Sequence, residues 1–212
     1  MKRRSLGRLA AAALATGLLA GAWPLAHAAE EAPDAMIKRL SDEVMRTIRS
    51  DPALSGGDIN KVMALVDSKI MPNVNFPRMT ASAVGPAWRQ ASPEQRQRLQ
   101  EEFKVLLVRT YAGALSQVSD EEVAMKPLRA SPTDTDVVVR SEIRGRGEPI
   151  QLEYRLEKTD GGWKIYNLNV LGVWLVETYR SQFAQEINAK GVDGLIASLS
   201  ERNRTNANGR KG

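Results

Sequence analysis

The spacing of apolar residues along the chain changes from three-to-four to two and back again, and the changes mark the elements. Met36, Ile37, Leu40, Val44 and Ile48 form one stripe of a helix that ends at Asp51-Pro52 and Gly56-Gly57. Asp58, a good N-cap, opens a second helix through Val62, Met63, Val66 and Ile70 to Met71-Pro72. A turn and a short helix occupy residues 73–85, with Phe76 and Met79 turned inward. Ser92-Pro93-Glu94-Gln95 combines an N-cap serine, a proline at the first helical position and a glutamine placed to close a capping box. The helix it starts runs through Leu99, Phe103, Leu106, Leu107, Thr110 and Tyr111 to about Leu115.

From Val123 the period is two. Strands are expected over residues 123–126, 136–144, 149–158 and 163–170, with Gly145-Arg146-Gly147 and Asp160-Gly161-Gly162 as turn signals. Ile150, Leu152, Tyr154 and Leu156 alternate with Gln151, Glu153, Arg155 and Glu157, so one face of that strand is dry and the other wet. Val137, Val139 and Ile143 oppose Arg140, Glu142 and Arg144 in the same way. After Gly172, read as a hinge, Val173, Val176, Tyr179, Arg180 and Phe183 recur at helical spacing. That helix runs to about Ala189, and a last one from Val192 to Glu201. Consecutive strands with short connections and helices on either side predict an α+β fold, with a curved antiparallel sheet of about four strands packed against several helices.

Composition changes this picture mainly at the ends. Lys2, Arg3, Arg4 and Arg8 precede an apolar run from Leu9 to Leu19 and an Ala26-His27-Ala28 cleavage site, so residues 1–28 read as a cleaved signal peptide and the product as a soluble exported protein. Removing its four cations takes the formal charge from +5 to +1. Residues 201–212 carry four cations and one acid and read as a disordered basic tail, which leaves about −2 for the single domain at 29–200. The basic balance is therefore an end effect, and nucleic-acid binding has no basic face to rest on.

Cleavage also removes His27, the only histidine, and the chain has no cysteine. A histidine-based triad, a cysteine nucleophile, the usual zinc sites and disulfides are all excluded, so stability must come from a core that roughly 180 residues can supply. No P-loop or nucleophile elbow is present, and no cofactor is expected. Asp134 and Asp136 are the nearest pair of carboxylates, but Ser-Pro-Thr-Asp-Thr-Asp reads as a polar turn opening a strand. The chain is not expected to be an enzyme.

Trp163-Lys164-Ile165-Tyr166-Asn167, Gly172-Val173, Leu175-Val176, Tyr179-Arg180 and Phe183 resemble the C-terminal signature of the MlaC, or toluene-tolerance, family of periplasmic phospholipid carriers. Phe76, Met79, Gly85, Trp88, Gln95, Phe103, Leu106, Leu107, Thr110 and Tyr111 match upstream, and Gly191 to Ile196 with Leu199 match the family's last helix. Asn167, where an aspartate is common, and Trp174, where a small residue is common, depart from the pattern.

The resemblance implies a fold similar to nuclear-transport-factor-like domains, with an apolar cavity that takes phospholipid acyl chains. Periodicity alone fits a packed core equally well. Tyr111 likewise reads either as a rim residue with an apolar ring or as a core tyrosine. Leu107, Tyr111, Val139, Ile150, Leu152, Tyr154, Leu168, Val170, Val173 and Val176 are the candidate lipid-lining residues, and Trp88, Phe103 and Trp163 are assigned to the core. The implied partners are phospholipid, an outer-membrane lipoprotein-porin complex and an inner-membrane ABC transporter with an MCE-type subunit. The implied role is maintenance of outer-membrane lipid asymmetry by a monomer. The alternative is a periplasmic binding or chaperone-type protein for another apolar ligand.

Overall fold

In the computed structural model, residues 31–115, 120–145 and 147–208 are described. The expected leader and the last four residues lie outside them. α1 (Pro33–Ser50) is followed by a single turn, α2 (Pro52–Ser55), and by α3 (Ile59–Leu65), which continues as a π-turn to Ile70. Asp58 caps α3 as expected, its Oδ1 accepting from the N–H groups of Asn60 and Lys61 at 2.9 and 3.3 Å. α4 (Phe76–Val84) leads through a 3₁₀ segment to α5 (Pro93–Leu115). There the capping box closes in both directions: Ser92 N–H donates to Gln95 Oε1 at 2.9 Å, and Gln95 N–H to Ser92 Oγ at 3.2 Å.

The sheet is antiparallel throughout, in the order β1 (Glu122–Met125), β2 (Asp136–Arg144), β3 (Ile150–Thr159), β4 (Gly162–Val170) and β5 (Val173–Trp174). It has five strands rather than about four, and it is not closed. The additional strand corrects the reading of Gly172 as a hinge into a helix. Leu171 and Gly172 both have positive φ, 52° and 85°, the signature of a two-residue primed turn, so Val173 pairs back onto Val170. The helix, α6 (Leu175–Asn208), starts two residues later and breaks at Gly191, whose φ is 72°.

α6 also continues through residues 201–208, where a disordered tail was expected. Asn203 explains the difference: its Nδ2 donates to the Glu102 carbonyl at 3.0 Å and to the Glu102 carboxylate at 2.7 Å, tying the helix end to α5.

Packing falls into three clusters. Phe103 centres the largest, with ring contacts of 5.8 Å to Phe76, 5.0 Å to Tyr179 and 5.2 Å to Phe183, which lock α4, α5 and α6 together. Met36, Ile37 and Leu40 of α1 pack on Val137, Val139, Leu156 and Ile165 of the sheet. The third joins the end of α1 to α2, α3 and the later part of α5. Trp88 and Trp163 lie partly buried against the first and second clusters.

Candidate functional site

Residues directly opposite each other in an antiparallel ladder share a face, so the register sorts every strand residue to one side of the sheet. Val137, Leu156 and Ile165 form one apolar row, Val139, Tyr154 and Leu168 the next. Met125, Ser141, Leu152, Val170 and Val173 form the third, and Val123, Ile143 and Ile150 the fourth. The opposite face carries Arg140, Glu153, Asn169 and Trp174 in one row, with Arg155 and Asn167 beside it. Ion pairs cross that polar face, Arg140 to Glu153 at 2.6 Å and Arg155 to Glu177 at 2.7 Å, and Asn167 and Asn169 are buried on it.

A register shift between Arg155 and Leu156 leaves Tyr166 as the extra residue of a bulge. Tyr166 and Asn167 therefore both face the polar side. The Tyr166 hydroxyl donates to Asp136 at 2.8 Å, and Arg78 stacks 3.5 Å over its ring. Asp136 is thus engaged in a structural contact, and Asp134 accepts from the Ser131 N–H at 2.8 Å in the turn. Among the described residues no cluster of three acidic or metal-ligating side chains forms, and no helix is long and apolar enough to cross a membrane.

Seven of the ten candidate residues (Val139, Ile150, Leu152, Tyr154, Leu168, Val170 and Val173) therefore fall on one face. Their surroundings differ. Val139, fully buried, and Tyr154 pack under α1, where Tyr154 also contacts Ser141 and Ser41 and burial raises the pKa of its phenol. Leu168 packs against the α4–α5–α6 cluster, to which Leu107 and Val176 also belong. Leu152, Val170, Ile150, Val173 and Tyr111 belong to none of the three clusters.

Exposure increases along the face in the same order. The row Val137, Leu156 and Ile165 is buried, whereas Ile150 is 38% exposed and Val173 51%. Tyr111, 37% exposed, stands beside Tyr179, and burial followed by that neighbour raises its pKa. An apolar sheet face is thus closed at one end by α1 and open at the other. Four rows two residues apart, at roughly 3.3 Å per residue, make it about 20 Å long.

Sequence reading missed Leu171, at 62% the most exposed large apolar side chain among the described residues, because its place at the tip of the β4–β5 turn depends on pairing that no local pattern reveals. Met125 and Ser141 share the face without having been named, although their alternation within expected strands was available as a signal, and Ile143, read as facing the dry side, was not carried into the candidate set. Val173 was placed on a helix and lies instead on β5. Of the two departures from the family pattern, Trp174 turns to the polar face and stacks under Arg155 at 4.0 Å. Asn167 accepts the Val176 N–H at 3.1 Å and donates to Glu177 at 2.8 Å, so it seats the first turn of α6.

Comparison with known proteins agrees with this architecture. The toluene tolerance protein ttg2D of Pseudomonas putida is 25% identical over 177 residues, 83% of this chain and 82% of that protein. The intermembrane phospholipid transport system binding protein MlaC of Haemophilus influenzae is 24% identical, over 82% of this chain and 83% of its own length. A solved structure of a phospholipid-binding protein from Ralstonia solanacearum, in complex with a phospholipid, superposes with a TM-score of 0.80 and 51% identity, covering 82% of this chain and 98% of that one. The family model described as MlaC protein matches residues 38–201, and the chain belongs to that family.

Proposed function

We propose that the chain is a periplasmic phospholipid carrier, exported behind a cleaved leader, that holds acyl chains against the open part of the apolar sheet face and leaves the head group near solvent. The supporting observation is the graded face itself, in a chain that is 51% identical to a protein solved with phospholipid bound. A lipid with roughly 30 methylenes loses on the order of 20 kcal/mol on entering water, at about 0.8 kcal/mol per CH₂, so transfer between membranes needs a carrier. The reaction is an exchange between apolar environments, without bond making, and uses no cofactor.

In this reading the carrier acts as a monomer between an outer-membrane lipoprotein-porin complex and an inner-membrane ABC transporter with an MCE-type subunit, maintaining outer-membrane lipid asymmetry. Native mass spectrometry of protein purified from periplasm tests the central step. An added mass equal to intact phospholipid is expected, retained through incubation without hydrolysis and lost in folded Leu152→Glu and Val173→Glu. Protein free of lipid in every preparation would overturn the reading and favour an interaction protein. A different apolar ligand in the same place would make it a binding module. Loss of the gene is expected to raise phospholipid in the outer leaflet of the outer membrane.

A further inference from the structure

β1 is an edge of the sheet, and the phase of its ladder is fixed. The Lys126 N–H donates to the Arg140 carbonyl at 2.9 Å, so Glu122 and Ala124 exchange hydrogen bonds with β2, and Val123 and Met125 direct their N–H and C=O groups away from it. Those outward groups hydrogen-bond to no described residue. The carbonyl of Glu121, which points the same way, is taken by Arg49 of α1. Arg49 thus caps one end of the edge and leaves Val123 and Met125 as its open part.

Between this edge and α1 lies an open groove of about 650 Å³, walled by Lys38, Asp42, Met45, Arg46 and Arg49 on the helix and by Glu121 to Val123 on the strand side. Its lining does not include Ile150 or Val173 of the open end of the apolar face, although Val123 lies in the same row as Ile150. Its helix wall is sorted chemically. Lys38 is paired to Asp42 at 2.7 Å, Met45 is buried and apolar, and Arg46, which makes no hydrogen bond with a described residue, has Glu43 of its own helix as an electrostatic neighbour. A strand laid on β1 would turn alternate side chains towards α1, on the side where Met125 already packs against the α1 cluster.

We propose that this edge and groove bind an extended peptide segment of a partner protein as a sixth strand, with an acidic side chain towards Arg46 and an apolar one towards Met45. Main-chain chemistry selects the occupant. The edge offers donors and acceptors in alternation every second residue, about 6.6 Å apart, which an extended backbone meets in phase. An acyl chain would leave all of them unsatisfied, and a phosphodiester backbone has no donor for the carbonyls. The four-residue length of β1 and its Arg49 cap restrict the site to a short segment, in keeping with the way short edges avoid indiscriminate pairing. The inference does not rest on the lipid reading.

The test uses the folded protein and a library of blocked heptapeptides with threonine at odd positions and every residue type at even ones. Selected peptides are expected to carry an acid at one even position and an apolar residue two positions away. In ¹⁵N-labelled protein they should shift the Val123 and Met125 amides and slow their hydrogen exchange. Val123→Pro removes an outward donor while leaving the β2 ladder intact, so it should abolish binding without lowering the melting temperature. Arg46→Glu should turn the preference from acid to base. No enrichment above the Val123→Pro control, or binding that survives Val123→Pro, would overturn the proposal, as would shifts confined to the Ile150–Val173 end. In each case the phospholipid mass in the unaltered protein reports on the carrier reading separately.

Discussion

Asn167 sits where strand, turn and helix meet, and replacing it with alanine tests whether one side chain seats α6. It is almost fully buried, 2% exposed. Its Oδ1 accepts from the Leu168 N–H at 2.9 Å and from the Val176 N–H at 3.1 Å, while its Nδ2 donates to Glu177 at 2.8 Å. The Val176 N–H is one of the donors that a helix start leaves unpaired, and it is buried. Three lost bonds at about 1 kcal/mol each, one exposing a buried donor, make Asn167→Ala destabilising by about 3 kcal/mol. At roughly 2–4 °C per kcal/mol for a chain of this size, the melting temperature followed by circular dichroism should fall by about 6–12 °C. Asn167→Asp keeps both acceptor bonds but sets a second carboxylate 2.8 Å from that of Glu177, so it should cost less than half as much only at mildly acidic pH, where the two carboxyls share a proton. A fall below about 2 °C for alanine, or equal losses for both variants at that pH, would refute the account of the helix start.

Three further changes address the sheet and the core. Hydrogen bonds from Lys126, then from Gln151 and Arg144, hold the Glu142 carboxylate down at about 2, against an ordinary value near 4.5. Because the folded pKa is depressed, its stabilisation is fully present above about 4.5 and is lost as pH falls through about 2. The stability gap between the unaltered protein and Glu142→Gln, measured by urea denaturation, should therefore narrow over that window. Leu171→Asn places the favoured Asn-Gly pair in a turn that now holds a leucine at φ 52°, and it should raise the melting temperature by a few degrees, for about 0.5–1 kcal/mol. Phe103→Ala empties the contact point of three other rings and should cost about 3–5 kcal/mol in chemical denaturation.

Much of the fold was legible because it rests on local patterns. The Ser92–Gln95 capping box, the Asp58 cap and the alternation in β2 and β3 are each written within a few residues, and each forms as read. What was not legible depends on long-range partners. Val173 has helical spacing to Val176 and Phe183, but pairing with Val170 makes it a strand residue. Arg202 to Asn208 has no large apolar residue, yet it is helical because Asn203 meets Glu102 a hundred residues earlier. The side of the sheet on which Tyr166 lies depends on a bulge opposite Arg155, which parity counting along β4 alone cannot contain.

The same distinction explains why candidate site residues were easier to place on a face than to divide by role. Alternation reports which way a side chain points, and six of them lie on expected strands and fall on one side of the sheet, where Val173 joins them only through β5. Whether that side is covered depends on α1, which reaches Val137, Val139, Leu156 and Ile165 but not Ile150 or Val173. Extending that cover is therefore a more direct perturbation than altering the face itself. Lengthening an apolar side chain under α1, as in Val139→Phe, should be paid in stability, about 1–3 kcal/mol from overpacking. Ile150→Phe at the open end should cost little stability and change the lipid that co-purifies. If the two substitutions destabilise the protein equally, the face is packed along its whole length, and the gradient from closed to open does not describe the molecule in solution.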